Sequence, residues 1–265
     1  MDLIQIIVLG IVQGLTEFLP ISSSGHLILT PLVFGWSDQG LAFDISVHLG
    51  TLCAVLWYFR DKILSISEAW LGQFVGHGVT NESKLGWYII IATIPICIAG
   101  LLFGDFVEHN LRSAKVIAFT TIFWGIILWL SDKYGKKYLD LSKLTFVSAL
   151  FVGIAQCLAM VPGTSRSGIT MTAGLFLGLT RIAAAEFSFL LSVPTIFLAG
   201  AFKLLELFRH DGPVNWADLG IGALVSGIVA YFCISLFMRF ITRIGLFPFM
   251  IYRIFLGIVI ILFLI

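Results

Sequence analysis

Within "QGLTEFLPISSSGH", Gln13 to His26, a glutamate, three consecutive serines and a histidine sit close together in otherwise apolar sequence. Glu17 can act as a base or ligate a divalent metal ion, and Ser23 offers a nucleophilic hydroxyl. His26 can donate a proton to a leaving group or assist the serine near neutral pH. Gln13 stands four residues before Glu17 and shares a helical face with it. Taken singly, each is bland: serines cap turns, and a lone histidine is usually just hydrogen-bonded. Taken together, with a glutamate at membrane depth, they point to chemistry, and Ser22 and Ser24 flank Ser23 as candidate substrate contacts.

"VPGTSRSGIT", Val161 to Thr170, supplies what the first stretch lacks. An arginine in a membrane-embedded turn is expensive and by default a functional candidate. Around Arg166 stand Thr164, Ser165, Ser167 and Thr170, while Gly163 and Gly168 permit tight turns that expose N–H groups. A guanidinium fork, hydroxyls and turn amides make a phosphate cradle. A helix from about Ile169 would aim its positive end at the same place. The competing reading is that Arg166 pairs with a carboxylate and simply ties two segments together.

The elements that hold these groups belong to a membrane protein. Of 265 residues 59% are hydrophobic and only 12% charged, and the mean hydropathy is +1.03, whereas soluble domains carry about 25% charged residues. The formal net charge of +1 offers no basic face for nucleic acid. The four cysteines, Cys53, Cys97, Cys157 and Cys233, lie in apolar runs without paired spacing and read as small buried hydrophobes. The N-terminus lacks a basic region and a small-residue cleavage pattern, so it reads as retained.

Six apolar runs are long enough to span a bilayer: Leu41–Phe59, Trp87–Phe103, Ala114–Leu130, Ala184–Leu205, Ala217–Met238 and Leu246–Ile265. Two more, Leu3–Leu32 and Phe146–Leu179, are broken by proline, glycine and serine. Backbone groups freed by such breaks cannot face lipid, so both pieces read as re-entrant hairpins. They also align without a gap: "GIVQGLTEFLPISSSG" from Gly10 against "GIAQCLAMVPGTSRSG" from Gly153. The expected fold is therefore an all-α polytopic membrane protein in one domain, 1–265, with repeats at about 1–131 and 144–265. Each repeat is one hairpin plus three spans; three is odd, so the repeats are inverted and their broken helices meet near the midplane. The halves have diverged: Glu17, Ser23 and His26 align with Met160, Arg166 and Ile169, which makes one half reactive and the other binding.

If the first hairpin enters from outside, the inner segments carry Arg60, Lys62, Lys84, Lys133, Lys136, Lys137, Lys143, Arg181, Arg239 and Arg243. The outer ones carry only Arg112, Lys115, Lys203 and Arg209. Excess Lys and Arg belongs on the cytoplasmic side, so both termini are expected outside.

The two broken stretches closely resemble the signature motifs of the bacitracin-resistance family of undecaprenyl-diphosphate phosphatases. The family's (E/Q)-x-x-x-E pattern falls on Gln13 and Glu17, and its P-G-x-S-R-S-x-x-T pattern on Pro162 through Thr170. "AAAEFSFLLSVP", Ala183–Pro194, and "FPFMIYR", ending at Arg253, look like further family stretches. The resemblance covers essentially the whole chain. It departs at Gln13, where many members have glutamate, which argues against a two-carboxylate metal site there.

The resemblance implies hydrolysis of undecaprenyl diphosphate to the monophosphate and phosphate on the outer face of the bacterial inner membrane. That reaction recycles the lipid carrier for peptidoglycan and explains resistance to bacitracin. It also implies a divalent cation, magnesium or calcium, with Glu17 as a ligand; a homodimer is left open. Inverted repeats are equally an alternating-access architecture, so a transporter is the main rival. A structural scaffold would leave Glu17 and Arg166 unexplained.

Overall fold

The computed structural model describes residues 1–207 and 215–265; Arg209, counted above as an outer charge, lies outside the described residues. Regular structure among them consists of eleven α-helices, three short 3-10 turns and an isolated Leu139–Leu179 bridge. The helices are α1 (Leu3–Thr16), α2 (Ser23–Phe34), α3 (Gly40–Tyr58), α4 (Arg60–Gly72), α5 (Asn81–Asn110), α6 (Ala114–Tyr134), α7 (Phe146–Gln156), α8 (Arg166–Phe176), α9 (Arg181–Leu207), α10 (Trp216–Ile244) and α11 (Phe247–Leu264). Six of them, α3, α5, α6, α9, α10 and α11, are long and apolar enough to cross a membrane, and each coincides with one of the runs read from sequence.

Several helices overshoot those runs. The extreme is α5, 30 residues long where the apolar run covers only Trp87–Phe103. Apolarity marks the lipid-facing portion, whereas capping sets the helix end. Here Thr80 and Ser83 cap each other reciprocally, with Ser83 N donating to Thr80 Oγ1 at 3.1 Å and Thr80 N donating to Ser83 Oγ at 2.9 Å. Helix α4 was not anticipated. Its Ile66 and Trp70 lie on one face and close on Gly86 of α5, so a weakly amphipathic pattern acquires a partner. The cysteines are all free, but only Cys233 is buried, Cys53 is exposed, and Cys97 and Cys157 are intermediate. In a bilayer the outer surface is itself apolar, so a small hydrophobe gains little by turning inward.

Both broken segments turn the same way. Ser22 before α2 has φ 75° and ψ 91°, and its hydroxyl accepts from Gly25 N at 3.4 Å. Ser165 before α8 has φ 72° and ψ 115°, and its hydroxyl accepts from Gly168 N at 3.1 Å. A serine at positive φ is strained, and such strain persists only where the surroundings enforce it. Helix α8 starts at Arg166, three residues earlier than the sequence suggests, because the Ser165 cap fixes its first turn.

Helix α10 packs on α1 and α3, α11 on α6, and α5 on α7. Without a hydrophobic drive between helices in lipid, small residues at the seams decide how closely they approach. A Cβ on Gly50 of α3 would lie 2.1 Å from Ala223 O and 2.2 Å from Ser226 Oγ of α10. Ser226 uses that closeness to donate to Val47 O at 2.8 Å. At one end of the bundle the Asp132 carboxylate accepts from Arg181 Nε at 2.6 Å, Arg181 Nη2 at 3.0 Å and Leu246 N at 3.0 Å. That knot joins the end of α6, the start of α9 and the α10–α11 link. Elsewhere, the Met1 amino group lies 3.2 Å from Asp218, joining the starts of α1 and α10.

Candidate active site

Glu17 ends α1, its N–H closing the last turn on Gln13 O at 3.0 Å. Its side chain, only 6% exposed, is where the two broken segments meet. Oε1 accepts from Arg166 Nη2 at 2.6 Å. Oε2 accepts from Ser23 Oγ at 2.7 Å and from Gln13 Nε2 at 3.0 Å. The folded chain thus brings together the glutamate, the serine and the arginine that the sequence singled out. A serine O–H aimed at a carboxylate oxygen is in the geometry a general base needs. The other oxygen accepts from a guanidinium.

Arg166 has a second tie, Nη1 donating to Ser188 O of α9 at 3.3 Å, and its guanidinium stands 6.0 Å from the Phe18 ring centroid. The pairing of Arg166 with a carboxylate across the two segments is therefore present. Its side chain keeps 13% exposure. In a charge-assisted pair of this burial, removing one partner strands the other, a loss of about 3–5 kcal/mol.

The surrounding hydroxyls divide into two groups. Ser167 donates to Leu19 O at 2.9 Å, clasping one turn to the other. Thr170 donates to Arg166 O at 2.9 Å and lies 2.7 Å from Ser188 Oγ. Both are almost fully buried, so their hydroxyls are committed to protein partners. Thr164 Oγ1 and Gln13 Oε1 are buried with no partner among the described residues. On the accessible side stand Ser23, partly exposed, and Ser24, exposed, with Ser24 Oγ 3.3 Å from Ser22 Oγ. Ser165 and Ser167 repeat that spacing at 3.2 Å. Gly163 has φ 89°, and a Cβ there would lie 2.2 Å from Thr120 Oγ1.

His26 stands apart. Among the described residues its ring has no hydrogen bond to Glu17, Ser23 or Arg166. Its Nδ1 lies 2.7 Å from Ser22 O and its Nε2 2.5 Å from Tyr252 Oη. The next residue, Arg253, is 0% exposed and, among the described residues, has no carboxylate partner. It donates to Thr121 O at 2.9 Å, Pro20 O at 3.2 Å, Gly163 O at 2.8 Å and Thr164 O at 3.0 Å. One guanidinium, with five donors in a rigid fork, thereby fastens both turns to α6 and α11.

A family model described as "Bacitracin resistance protein BacA" matches residues 6–259. The chain belongs to the bacitracin-resistance protein family. Among its relatives, undecaprenyl-diphosphatase 1 of Pseudoalteromonas translucida is 53% identical over 264 residues, covering 100% of this chain and 99% of that protein. Undecaprenyl-diphosphatase of Teredinibacter turnerae is 51% identical over 258 residues, covering 97% and 98%. That of Aliivibrio salmonicida is 54% identical over 249 residues, covering 94% and 93%. With six apolar helices of spanning length, this member of the family is a multi-pass membrane protein.

Four residues that touch this cluster or its turns escaped the sequence reading: His48, Ser188, Tyr252 and Thr120. His48 Nε2 stands 3.7 Å from Glu17 Oε2, while its Nδ1 is pinned to Asp44 O at 2.7 Å. A histidine inside the apolar run Leu41–Phe59 was the available signal. Ser188 and Tyr252 lie inside stretches that carry the family resemblance, but nothing in their spacing names a partner. Thr120 donates to Pro162 O at 2.7 Å and reads from sequence as an ordinary small residue in a span.

Among the described residues no cluster of three His, Cys, Asp or Glu side chains is placed to hold a metal ion. What the site does offer is the Glu17 carboxylate beside a buried Gln13 Oε1 that has no partner among the described residues. A cation that keeps most of its ligands as water and substrate phosphate needs only one or two protein oxygens, and that donor set fits it.

Proposed function

We propose that this chain hydrolyses undecaprenyl diphosphate to undecaprenyl phosphate and phosphate, recycling the lipid carrier for peptidoglycan synthesis and so conferring bacitracin resistance. Relatives named undecaprenyl-diphosphatase, similar at 51–54% identity over nearly the whole chain, support it. The observation that carries it is the Glu17 carboxylate shared between the Ser23 hydroxyl at 2.7 Å and the Arg166 guanidinium at 2.6 Å. A transporter needs a cation for its phosphate, but it has no use for a hydroxyl held against a buried base.

In this reading Ser23 Oγ attacks the terminal phosphorus as its proton passes to Glu17 Oε2. The bond to the bridging oxygen breaks, and the lipid monophosphate leaves as the anion. Arg166 turns from Glu17 to the phosphoryl oxygens, where the charge develops. Water then attacks the phosphoserine and gives a proton to His26; Ser23 recovers its proton from Glu17, and phosphate departs. The first turn of α2, where Ser23 is partly exposed and Ser24 exposed, adds amide donors and a positive dipole end. Ser24 lines that entrance, while the buried Ser22, Gly163, Thr164, Ser165, Ser167 and Thr170 set the shape of the turns beneath it. A divalent cation, magnesium or calcium, would be held by Glu17 and Gln13 Oε1 and would neutralise diphosphate charge.

The account includes an inverted repeat, 1–131 and 144–265, with two re-entrant hairpins. Its support is the matching Ser22 and Ser165 turns and the exchange of partners: α1 of one half packs on α10 of the other, and α7 on α5. It also places the site toward the exterior of the bacterial inner membrane, on the Lys and Arg distribution. Purified protein in detergent, given undecaprenyl diphosphate and magnesium, tests the activity. Stoichiometric phosphate release is expected; tight binding of the lipid without any release would transfer the case to the transporter.

A further inference from the structure

The His26 ring is held at both nitrogens. Ser22 O, 2.7 Å from Nδ1, is a carbonyl and can only accept, so Nδ1 carries a proton. The neutral ring then has its lone pair on Nε2, and Tyr252 O–H, 2.5 Å away, donates to it. The two rings also lie nearly parallel, 8° apart in plane with centroids 5.7 Å apart. Tyr252 itself is in a fixed place, because Arg253 beside it is buried and bound to carbonyls of both turns and of α6. The clamp that fastens the turns thus also fixes where the tyrosine hydroxyl stands.

We propose that Tyr252 is a positioning residue of the phosphatase site: its hydroxyl and ring hold His26 in the one orientation and tautomer that present Nε2 as a proton acceptor. The proposal rests on the hydrolytic reading above and deepens it. A neutral imidazole so held takes a proton from water and does not deliver one to the first leaving group. The hydroxyl occupies the lone pair until water displaces it, which keeps the base desolvated and aligned between turnovers. The bland alternative is a stacked pair that only glues α2 to α11. Glue would need the ring but not the hydroxyl, and it would act on folding but not on turnover.

Tyr252→Phe keeps the ring and removes the hydroxyl, so the two roles separate. The expected result, with phosphate release from undecaprenyl diphosphate as readout, is kcat lower by at least about tenfold with KM within about twofold of wild type. Acting through His26, it should add nothing in a His26→Ala background: the double variant and His26→Ala alone should have the same kcat. Unchanged kcat, a change confined to KM, or full additivity with His26→Ala each overturns the proposal. Nitrogen-15 NMR of histidine-labelled wild-type protein reads the tautomer directly, whatever the fate of the variants. Nδ1 protonated and Nε2 bare is expected, and the opposite tautomer overturns the proposal. Wild-type protein that releases no phosphate would instead sink the hydrolytic reading itself.

Discussion

Glu17 uses both oxygens of one carboxylate, one for the guanidinium of Arg166 and one for the hydroxyl of Ser23. That division explains why a buried acid is tolerated here. Arginine matters for its planar fork as much as for its charge, since it reaches Glu17 and Ser188 O from separate nitrogens. Arg166→Lys should therefore lose most activity, on the order of a hundredfold in kcat/KM, although the charge is kept. Steady-state kinetics on folded variant checks it, and near-wild-type kcat/KM would count decisively against the clamp. Glu17, Ser23 and Arg166 were legible in the sequence because each is costly at membrane depth and has no bland reason to be there. Ser167 and Thr170 looked the same on paper, yet their hydroxyls are spent on Leu19 O and on Arg166 O. A serine's partner depends on which carbonyl the fold brings near, and sequence spacing does not encode that. For the same reason Ser188 and Tyr252 carried no signal as members of this site.

The two turns work as elements because something rigid sits beneath them. Arg253 ties Pro20 O to Gly163 O and Thr164 O, and Gly163 allows the close approach, with Ile117 O only 2.6 Å from where a Cβ would be. At φ 89° any L side chain is also strained. Gly163→Ala should destabilise the protein by at least about 1–3 kcal/mol. Thermal unfolding in detergent would show it as a clear drop in Tm, and an unaltered Tm would mean the turn relaxes freely. The breaks themselves were readable, since proline, glycine and serine in an apolar run leave no other fold. The six spans were readable too, though not their ends, because caps such as Thr80 and Ser83 lie in polar sequence beyond the hydrophobic run. Helix α4 was invisible for a related reason: its apolar face is defined by Gly86 of α5, a partner that local periodicity cannot name.

At the scale of the whole molecule, the Asp132–Arg181 knot and the Met1–Asp218 pair gather different sets of helix ends. The excess Lys and Arg falls with the first set. A cysteine placed at Lys136 in a variant lacking the native cysteines should resist a membrane-impermeant thiol reagent in intact spheroplasts and react after permeabilisation. Ready labelling of intact cells would reverse the orientation and put the site on the wrong side for its proposed substrate. What the whole assembly achieves is to bring one residue of each broken segment onto a single carboxylate, so that a hydroxyl, a carboxylate and a guanidinium stand together. The most direct test compares Ser23→Ala with Ser22→Ala and Ser24→Ala at saturating undecaprenyl diphosphate and fixed magnesium. If Ser23 is the nucleophile, its removal should collapse kcat by at least about a thousandfold while both neighbours keep measurable turnover. Retention of a tenth or more of wild-type kcat in Ser23→Ala would contradict the account and leave water as the direct attacker.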